Sequence, residues 1–335
     1  MGQVGQVGQA GQVAQVGRGC VSRVLVVSLA VAALAAAQPP AREVAITFDD
    51  LPVGGVLPRN LASSRALNAK LLAAITSHHV PAVGFVNEGK LAGIPARAAL
   101  LRMWLDAGLE LGNHTYSHLD LNSTPLAQFE DDVLKGEAVM RPLLAERGLT
   151  PRFFRHPFLH TGRSLDVREQ FEKFLVEHGY RVAPVTVDND EYIFAEAYDR
   201  AAARRDSDMM RRVAAAYVPY MEAKFAFFER NSTDLFGREI PQILLVHANG
   251  LNADKFDDLA RMMERRRYRF IPLERALDDP AYRSRDTYTG SGGITWLHRW
   301  ALTKGVPRDF YAGEPDVPAF VADAAARDRP AGVAR

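Results

Sequence analysis

The sequence is poor in cysteine and has almost no net charge. Its 335 residues include one cysteine, Cys20, and the formal net charge is +1. A disulfide framework or a metal site made of several thiolates needs more cysteines than this chain contains. A nucleic-acid-binding protein usually carries a clear excess of basic residues, which is missing here. We therefore expect no nucleic-acid partner, and any metal site must use histidine and carboxylate ligands.

A long hydrophobic run is also missing. The apolar stretch VLVVSLAVAALAAA covers residues 24–37, follows Arg18 and Arg23, and ends on small residues. A membrane-spanning helix needs about 20 apolar residues, so this shorter run is more typical of a secretory signal peptide. We predict that residues 1–37 are a low-complexity Gly/Gln/Val leader followed by a signal peptide that is cleaved near Ala37. The mature protein would then be periplasmic or secreted and have no membrane span, with an uncleaved anchor as the alternative.

From Val44 onward, strand patterns alternate with helix patterns. The strand-like runs are EVAITF, PAVGFV, LELGN, RFFR, YRVAPVTV, QILLVH and YRFIPL. Strands that alternate with helices indicate parallel β-α-β units, and seven of them favour a closed or nearly closed barrel. We predict an α/β fold, a distorted seven-stranded (β/α) barrel over residues 44–278. One of its helices is expected to run from Leu126 to about Arg147.

Three segments do not follow this alternation. Residues 195–235 are helical in pattern and rich in charge, which predicts a helical insertion between the fifth and sixth strands, forming a lid or a cleft wall. Residues 279–311 are expected to form a C-terminal extension packed on the barrel. In this extension Trp296 and Trp300 share one helix face, where they either pack against the barrel, which we favour, or form a sugar-stacking platform. The tail, residues 312–335, is rich in Pro, Ala and Asp, and we predict that it is disordered.

Polar side chains lie where the predicted strands end. They are Asp49 and Asp50, His114 and His118, Arg155, the segment from Asp188 to Tyr192, and His247. In parallel α/β barrels the chemistry gathers at the carboxyl ends of the strands. We therefore expect these side chains to lie in one cleft.

The segment LGNHTYSHLDL contains two histidines four positions apart, His114 and His118. By itself such a pair is a weak signal, since solvated or structural histidines are more common. Together with a carboxylate from another strand end it would supply three ligands and leave one position open, as in a hydrolytic zinc site. The neighbouring carboxylates of TFDD, Asp49 and Asp50, can divide two tasks, one binding a cation while the other accepts a proton.

The motifs TFDD, HTYSH, FFRHPF and LLVH come in the order and spacing of a known family. Over about residues 44–278 the sequence resembles the polysaccharide deacetylases, the NodB-homology enzymes of carbohydrate esterase family four. The resemblance implies a distorted barrel and a metal-dependent hydrolase that removes acetyl groups from N-acetylated amino sugars. Chitin-like oligomers, peptidoglycan and exopolysaccharide are the candidate substrates. The alternatives are an O-acetyl sugar esterase and a non-catalytic carbohydrate-binding protein on the same barrel.

The resemblance also implies a metal centre and its base. Asp50, His114 and His118 would bind a divalent cation, which in this family is usually Zn²⁺. Asp49 would be the general base, and Arg155 would pair with Asp49 and hold its carboxylate in place.

Further roles follow from the same resemblance. The backbone N–H of Phe158 would stabilise the oxyanion, His247 would be the general acid, and Leu245 would line the pocket for the acetyl methyl group. The chain departs from the family at Leu159, where the family usually has glycine.

The fourth family motif is altered as well. The family usually has Asp-Trp there, with the aspartate tuning the catalytic histidine, whereas this chain has VDNDEYIF. Glu191 and Tyr192 give the nearest match and are predicted to contact substrate. Asp188, Asp190 and Glu191 all remain candidates for the carboxylate that tunes His247.

Overall fold

Seven parallel strands form the centre of the computed structural model, which describes residues 42–55 and 60–327. The predicted leader and signal peptide, residues 1–37, lie outside the described residues. The strands are β1 (Arg42–Leu51), β2 (Val83–Val86), β3 (Glu110–Asn113), β4 (Phe153–Phe154), β5 (Arg181–Val182), β6 (Gln242–His247) and β7 (Tyr268–Phe270). The α-helices are α1 (Leu61–Ser77), α2 (Ala98–Asp106), α3 (Leu126–Lys135), α4 (Met140–Ala145), α5 (Leu165–Glu177), α6 (Glu191–Ala203), α7 (Ser207–Phe236), α8 (Gly250–Arg265), α9 (Leu273–Leu277), α10 (Trp296–Lys304) and α11 (Ala319–Ala326).

The strands follow the order β5-β4-β3-β2-β1-β6, and β7 pairs with the first residues of β1. After β5 the chain reaches back to the other edge of the sheet, since Val187 forms a parallel bridge with Leu244 and the Thr186 N–H donates to the Ile243 carbonyl at 3.0 Å. The sheet is therefore curled almost into a ring. This confirms the predicted α/β fold with a distorted parallel barrel of seven strands.

Strand β1 separates two apolar layers. Val44, Ile46 and Phe48 face the helices, where the Phe48 ring lies 5.4 Å from Trp104 and 5.3 Å from Phe256. Because side chains alternate along a strand, the residues between them face the interior of the curled sheet. This alternation carries Asp49 inward. The register of β1 with β6 then places Asp49 opposite His247.

The helix predicted from Leu126 to Arg147 is divided into α3 and α4. Gly136 ends α3, and a Cβ atom there would lie 2.7 Å from the Thr115 carbonyl carbon. The break therefore lets the backbone of the HTYSH segment lie directly against the helix end. Because the residues on both sides of Gly136 have a helical pattern, the sequence does not indicate the break or this contact.

The segment between β5 and β6 folds as two helices, α6 and α7. The predicted insertion covers residues 195–235, whereas the helices begin at Glu191 and end at Phe236. Phe194 of α6 and Tyr217 of α7 are fully buried in the largest apolar cluster. The two helices are therefore an integral layer of the fold. Tyr192 and Ala195 line the cleft, which makes the start of α6 part of the cleft wall.

The C-terminal extension is packed, and the tail prediction is wrong over its described part. Trp296 and Trp300 are only 7% and 1% exposed, so they pack rather than form a sugar platform. Residues 319–326 of the predicted disordered tail form α11, which packs against α6 and buries Val321 and its neighbours on the same helix face. Alanine-rich composition suggested disorder, but the apolar residues recur at helical spacing. In the part of the chain that is described, no helix is long and apolar enough to cross a membrane.

Candidate metal and catalytic site

The carboxyl ends of the strands open into one cleft of about 710 Å³. The residues predicted at strand ends and found in its wall are Asp49, Asp50, His114, His118, Phe158, Asp188, Asp190, Tyr192, Leu245 and His247. Arg155 and Glu191 lie directly behind this wall, and both are almost completely buried. The strand-end positions therefore converge as the sequence predicts.

Asp50, His114 and His118 form a compact cluster in this cleft. Their candidate ligand atoms all lie within 4.8 Å of one another. The Asp50 Oδ1 atom is 3.6 Å from His118 Nε2 and 4.0 Å from His114 Nε2, and this buried oxygen has no hydrogen-bond partner. Ligand bonds of about 2.0–2.2 Å in a tetrahedral site place neighbouring ligand atoms about 3.4 Å apart, so only small shifts would accommodate a Zn²⁺ ion. The donor set and the unpartnered oxygen fit a divalent cation.

The two imidazoles are prepared for ligation. His114 Nδ1 donates to the Arg155 carbonyl at 2.8 Å, which leaves the lone pair of Nε2 facing Asp50. Burial lowers the pKa of His114 and of His118 to about 4, so both rings are neutral near pH 7. Neutral imidazole is the form that binds a metal.

The backbone at the cluster is strained. Asp50, Thr115 and His118 have φ angles of 68°, 65° and 56°, in the left-handed region that non-glycine residues rarely adopt. The Asn87 side-chain amide donates to the carbonyls of Thr115 and Tyr116 at 3.2 and 3.0 Å, which secures this turn. Strain of this kind is typical of functional sites, where the surroundings hold side chains in fixed positions.

Lys90 is a site residue that the sequence analysis missed. Its Nζ atom lies 3.1 Å from Asp50 Oδ2 and also donates to the Asp50 carbonyl. Burial raises the pKa of Asp50, but Lys90 and the histidines outweigh it, and the pKa lies below its usual value. Lys90 belongs to no motif. However, it follows the end of β2, and the expectation that functional residues lie at the carboxyl ends of the strands could have identified it.

Asp49 forms the predicted pair with Arg155. The Nη1 atom of Arg155 donates to Asp49 Oδ2 at 3.3 Å, while Nη2 and Nε bond Thr47 Oγ1 at 2.9 Å and the Ala183 carbonyl at 2.7 Å. The other carboxylate oxygen of Asp49, Oδ1, is buried and has no hydrogen-bond partner. Burial raises the pKa of Asp49, and the Arg155 guanidinium opposes that shift. The arginine thus fixes one oxygen and leaves the other available to accept a proton.

Glu191 is the carboxylate that contacts His247. Its Oε2 atom accepts from His247 Nδ1 at 2.8 Å, and its Oε1 atom accepts from the amides of Asn249 and Asn252. Glu191 is 1% exposed and lies behind the histidine, so its predicted contact with substrate is wrong. As the first residue of α6 it folds inward, whereas the next residue, Tyr192, lines the cleft as predicted.

We expect Glu191→Gln to shift the alkaline limb of the pH–rate profile to lower pH. Burial lowers the pKa of His247, but the hydrogen bond and charge of Glu191, aided by Asp50 and Asp49, raise it to about 9. A histidine that acts as an acid works below its pKa, and the neutral amide of glutamine would lower that pKa. The loss of kcat should therefore be larger at pH 8.5 than at pH 6.5, as measured from full profiles of both proteins. An unchanged alkaline limb would contradict this role of Glu191.

The turn after Arg155 contains the predicted oxyanion donor. Residues 157–159 form a short 3₁₀ turn in which Phe158 and Leu159 have φ angles of 55° and 56°. The Phe158 ring is half exposed in the cleft, and its centroid lies 4.5 Å from that of His118. Leu245 lines the same cleft. This geometry agrees with the predicted positions, and the roles of the Phe158 N–H and of Leu245 stay predictions.

The fold and the cluster together define a class of protein. It is a curled parallel α/β barrel with two histidines and an aspartate at the carboxyl ends of its strands, beside a buried Asp–Arg pair and a buried Glu–His pair. Residues 36–183 match the family model described as polysaccharide deacetylase. Over these residues the chain is similar to the polysaccharide deacetylases, the family that its motifs resemble.

Two curated relatives and one solved structure illustrate the similarity. The chain is 28% identical to a peptidoglycan-N-acetylglucosamine deacetylase of Bacillus cereus in an alignment of 153 residues, which is 45% of this chain. It is 32% identical to a chitooligosaccharide deacetylase of Bradyrhizobium sp. in an alignment of 117 residues, which is 35% of this chain. Each alignment spans 46% of the relative's own length. The peptidoglycan deacetylase PdaC from Bacillus subtilis is 17% identical with a TM-score of 0.44, over 73% of this chain and 95% of that one.

Proposed function

We propose that this protein is a metal-dependent deacetylase that hydrolyses the acetamido group of N-acetylated amino sugars in a polysaccharide or oligosaccharide. The observation that carries the proposal is the Asp50–His114–His118 cluster beside the Arg155-held carboxylate of Asp49. The two curated relatives are named as deacetylases of peptidoglycan N-acetylglucosamine and of chitooligosaccharide, which supports this substrate class.

The reaction makes three demands on the site. An amide is a poor electrophile, its carbonyl oxygen becomes negative in the transition state, and its amine leaves only when protonated. A divalent cation held by Asp50, His114 and His118 would supply Lewis-acid chemistry, polarising the acetyl carbonyl and making water more acidic. The remaining tasks belong to side chains and backbone of this chain.

Asp49 is the general base. Its Oδ1 atom accepts the proton of the attacking water, while Arg155 holds Oδ2 and compensates for the burial of the negative charge. Because Asp49 and Asp50 are consecutive, the base lies directly beside the cluster that would hold the cation.

His247 is the general acid on the neighbouring strand β6, in register with Asp49 on β1. Glu191 accepts its Nδ1 proton, so Nε2 is the nitrogen that donates to the leaving amine. The Phe158 N–H faces the developing oxyanion, and Leu245 contacts the acetyl methyl group. Base and acid on different strands let the proton be taken from one side of the carbonyl and returned on the other.

The test is acetate release from a panel of chitin oligomers, peptidoglycan and acetylated xylan. We expect release from the N-acetylated substrates, its loss on chelation, and its recovery when Zn²⁺ is added back. Release from xylan alone would support the O-acetyl esterase. Calorimetry that shows binding of chitin oligomers, together with no acetate release at any metal loading, would contradict the proposal. That result would support the alternative of a non-catalytic carbohydrate-binding protein. The presence of Leu159 where the family usually has glycine also favours this alternative.

We further propose that the protein acts in the periplasm or outside the cell. The basic and apolar pattern of residues 18–37 supports export, and acetylated cell-envelope polymers would be accessible there.

A further inference from the structure

We propose that residues 286–299, the C-terminal brace, hold residues 157–161, the arginine-motif loop, in the conformation that presents the Phe158 N–H to substrate, and that Arg299 is the positioning residue. The proposal rests on the deacetylase function proposed above. It assigns a role to a segment beyond residue 183, where the match to the family model ends.

Arg299 ties the two segments together. It is 1% exposed, and its Nη1 atom donates to the Leu159 carbonyl at 3.3 Å, while Nη2 donates to the Thr161 hydroxyl. Its Nε atom donates to Asp286 Oδ2 at 2.8 Å, and its guanidinium lies 4.3 Å from the centre of the Trp296 ring. The guanidinium therefore binds two residues of the arginine-motif loop, and it is itself held in place by the Asp286 carboxylate and the Trp296 ring.

Gly293 brings the brace backbone against the same loop. A Cβ atom at this position would lie 1.8 Å from the Phe158 carbonyl oxygen and 3.3 Å from Leu159 Cβ. Gly293 also lines the cleft. The brace is thus a direct neighbour of the peptide groups around Phe158, and only glycine permits this approach.

The arginine-motif loop needs outside support. Phe158 and Leu159 are consecutive residues with φ angles of 55° and 56°, which L-residues with side chains adopt only under constraint. Such conformations persist when the surroundings determine them. A family glycine at the second position would adopt this conformation freely, whereas Leu159 does not. Arg299 bonds the carbonyl of that same residue and compensates for the substitution.

A misplaced Phe158 N–H would change the chemical step more than substrate binding. Donors to the oxyanion act mainly in the transition state, so their displacement lowers kcat while KM changes little. Displacements of about 1 Å can lower rates by about 10²-fold.

The variants Arg299→Met and Arg299→Lys test the role of Arg299, with Arg168→Met as the matched control. Arg168 is also buried and also donates to the brace, at the carbonyls of Asp286 and Tyr288, but these bonds do not involve residues 157–161. Its loss therefore leaves the bonds of Arg299 to the arginine-motif loop in place. We expect Arg299→Met to lower kcat at least about tenfold with KM within about threefold of the wild type. Arg299→Lys should be intermediate, because one ammonium cannot donate in the same planar geometry. Arg168→Met should change kcat by less than about threefold.

Hydrogen–deuterium exchange gives a readout that needs no substrate. In peptides covering residues 156–162 we expect faster exchange in Arg299→Met than in the wild type or in Arg168→Met. Should Arg299→Met fail to fold, Gly293→Ala serves the same purpose, since its methyl group must displace the Phe158 carbonyl.

The outcomes separate this proposal from the proposed function. A wild-type protein that releases no acetate from any substrate would contradict the function, and the exchange data would still decide the role of the brace. Unchanged exchange in Arg299→Met, or equal losses of kcat in Arg299→Met and Arg168→Met, would overturn the proposal.

Discussion

Asp49→Asn is expected to lower kcat for acetate release by about 10²–10⁴-fold, the range for loss of a general base, while the bound metal is retained. The amide of asparagine can still accept from Arg155, so the packing of the buried pair is largely kept. It cannot take a proton from water at neutral pH. Steady-state kinetics together with the metal content of the same samples would measure both effects.

Asp188→Asn is the matched control. Asp188 also lines the cleft, and burial raises its pKa to about 7, yet it has no contact with Arg155 at hydrogen-bond distance. The same chemical change there should leave kcat within about tenfold of the wild type, since no proton transfer in the reaction depends on it. Equal losses at the two positions, or a loss of metal in Asp49→Asn, would contradict the assignment of Asp49 as the base.

His247→Asn is expected to lower amide hydrolysis by about 10²–10⁴-fold and the hydrolysis of an aryl acetate by less than about tenfold. An amine must be protonated as it leaves, whereas a nitrophenolate leaves without a proton. The ratio of the two activities therefore reports on the acid, independently of the base and of metal binding. Chitin oligomers and 4-nitrophenyl acetate would provide the two leaving groups.

Thr186→Val offers a control for damage to β6. The Thr186 hydroxyl accepts from the Ile243 N–H at 2.7 Å, so this variant disturbs the same strand without touching His247. It should affect both substrates equally. An equal loss of both activities in His247→Asn would mean that His247 serves the fold or the attack step, and not the departure of the amine.

The sequence predicted the location of the site through one rule, that chemistry gathers where parallel strands end, while the roles of its residues came from the family resemblance. Asp49, Asp50 and His247 lie at the ends of strands whose apolar alternation is clear, and the pairing of β1 with β6 brings them together. Arg155 follows β4, a strand of only two residues, yet its motif was sufficient to place it.

Choices between neighbouring residues could not be made from the sequence. Asp188, Asp190 and Glu191 all follow the fifth strand, and the start of α6 decides which one turns inward to His247. A shift of one or two residues in that helix start would exchange their roles. The start of α6 depends on tertiary contacts, because the asparagines that donate to the Glu191 carboxylate come from the start of α8.

Contacts between segments that are distant in the sequence could not be predicted either. Lys90 reaches Asp50 from the turn after β2, and Arg299 reaches the arginine-motif loop across about 140 residues of sequence. Neither residue belongs to a pattern, since a single basic side chain has no periodicity. The helix α11 shows the converse, because a composition typical of disorder contained apolar residues at helical spacing.

The most direct test of the central claim is a crystal structure of the zinc-loaded protein, with anomalous diffraction measured on both sides of the zinc edge. We predict one anomalous peak within about 2.0–2.2 Å of Asp50 Oδ1, His114 Nε2 and His118 Nε2, with both oxygens of Asp49 outside bonding distance. A peak ligated by other residues, a direct bond from Asp49, or no peak at this cluster after loading would contradict the account.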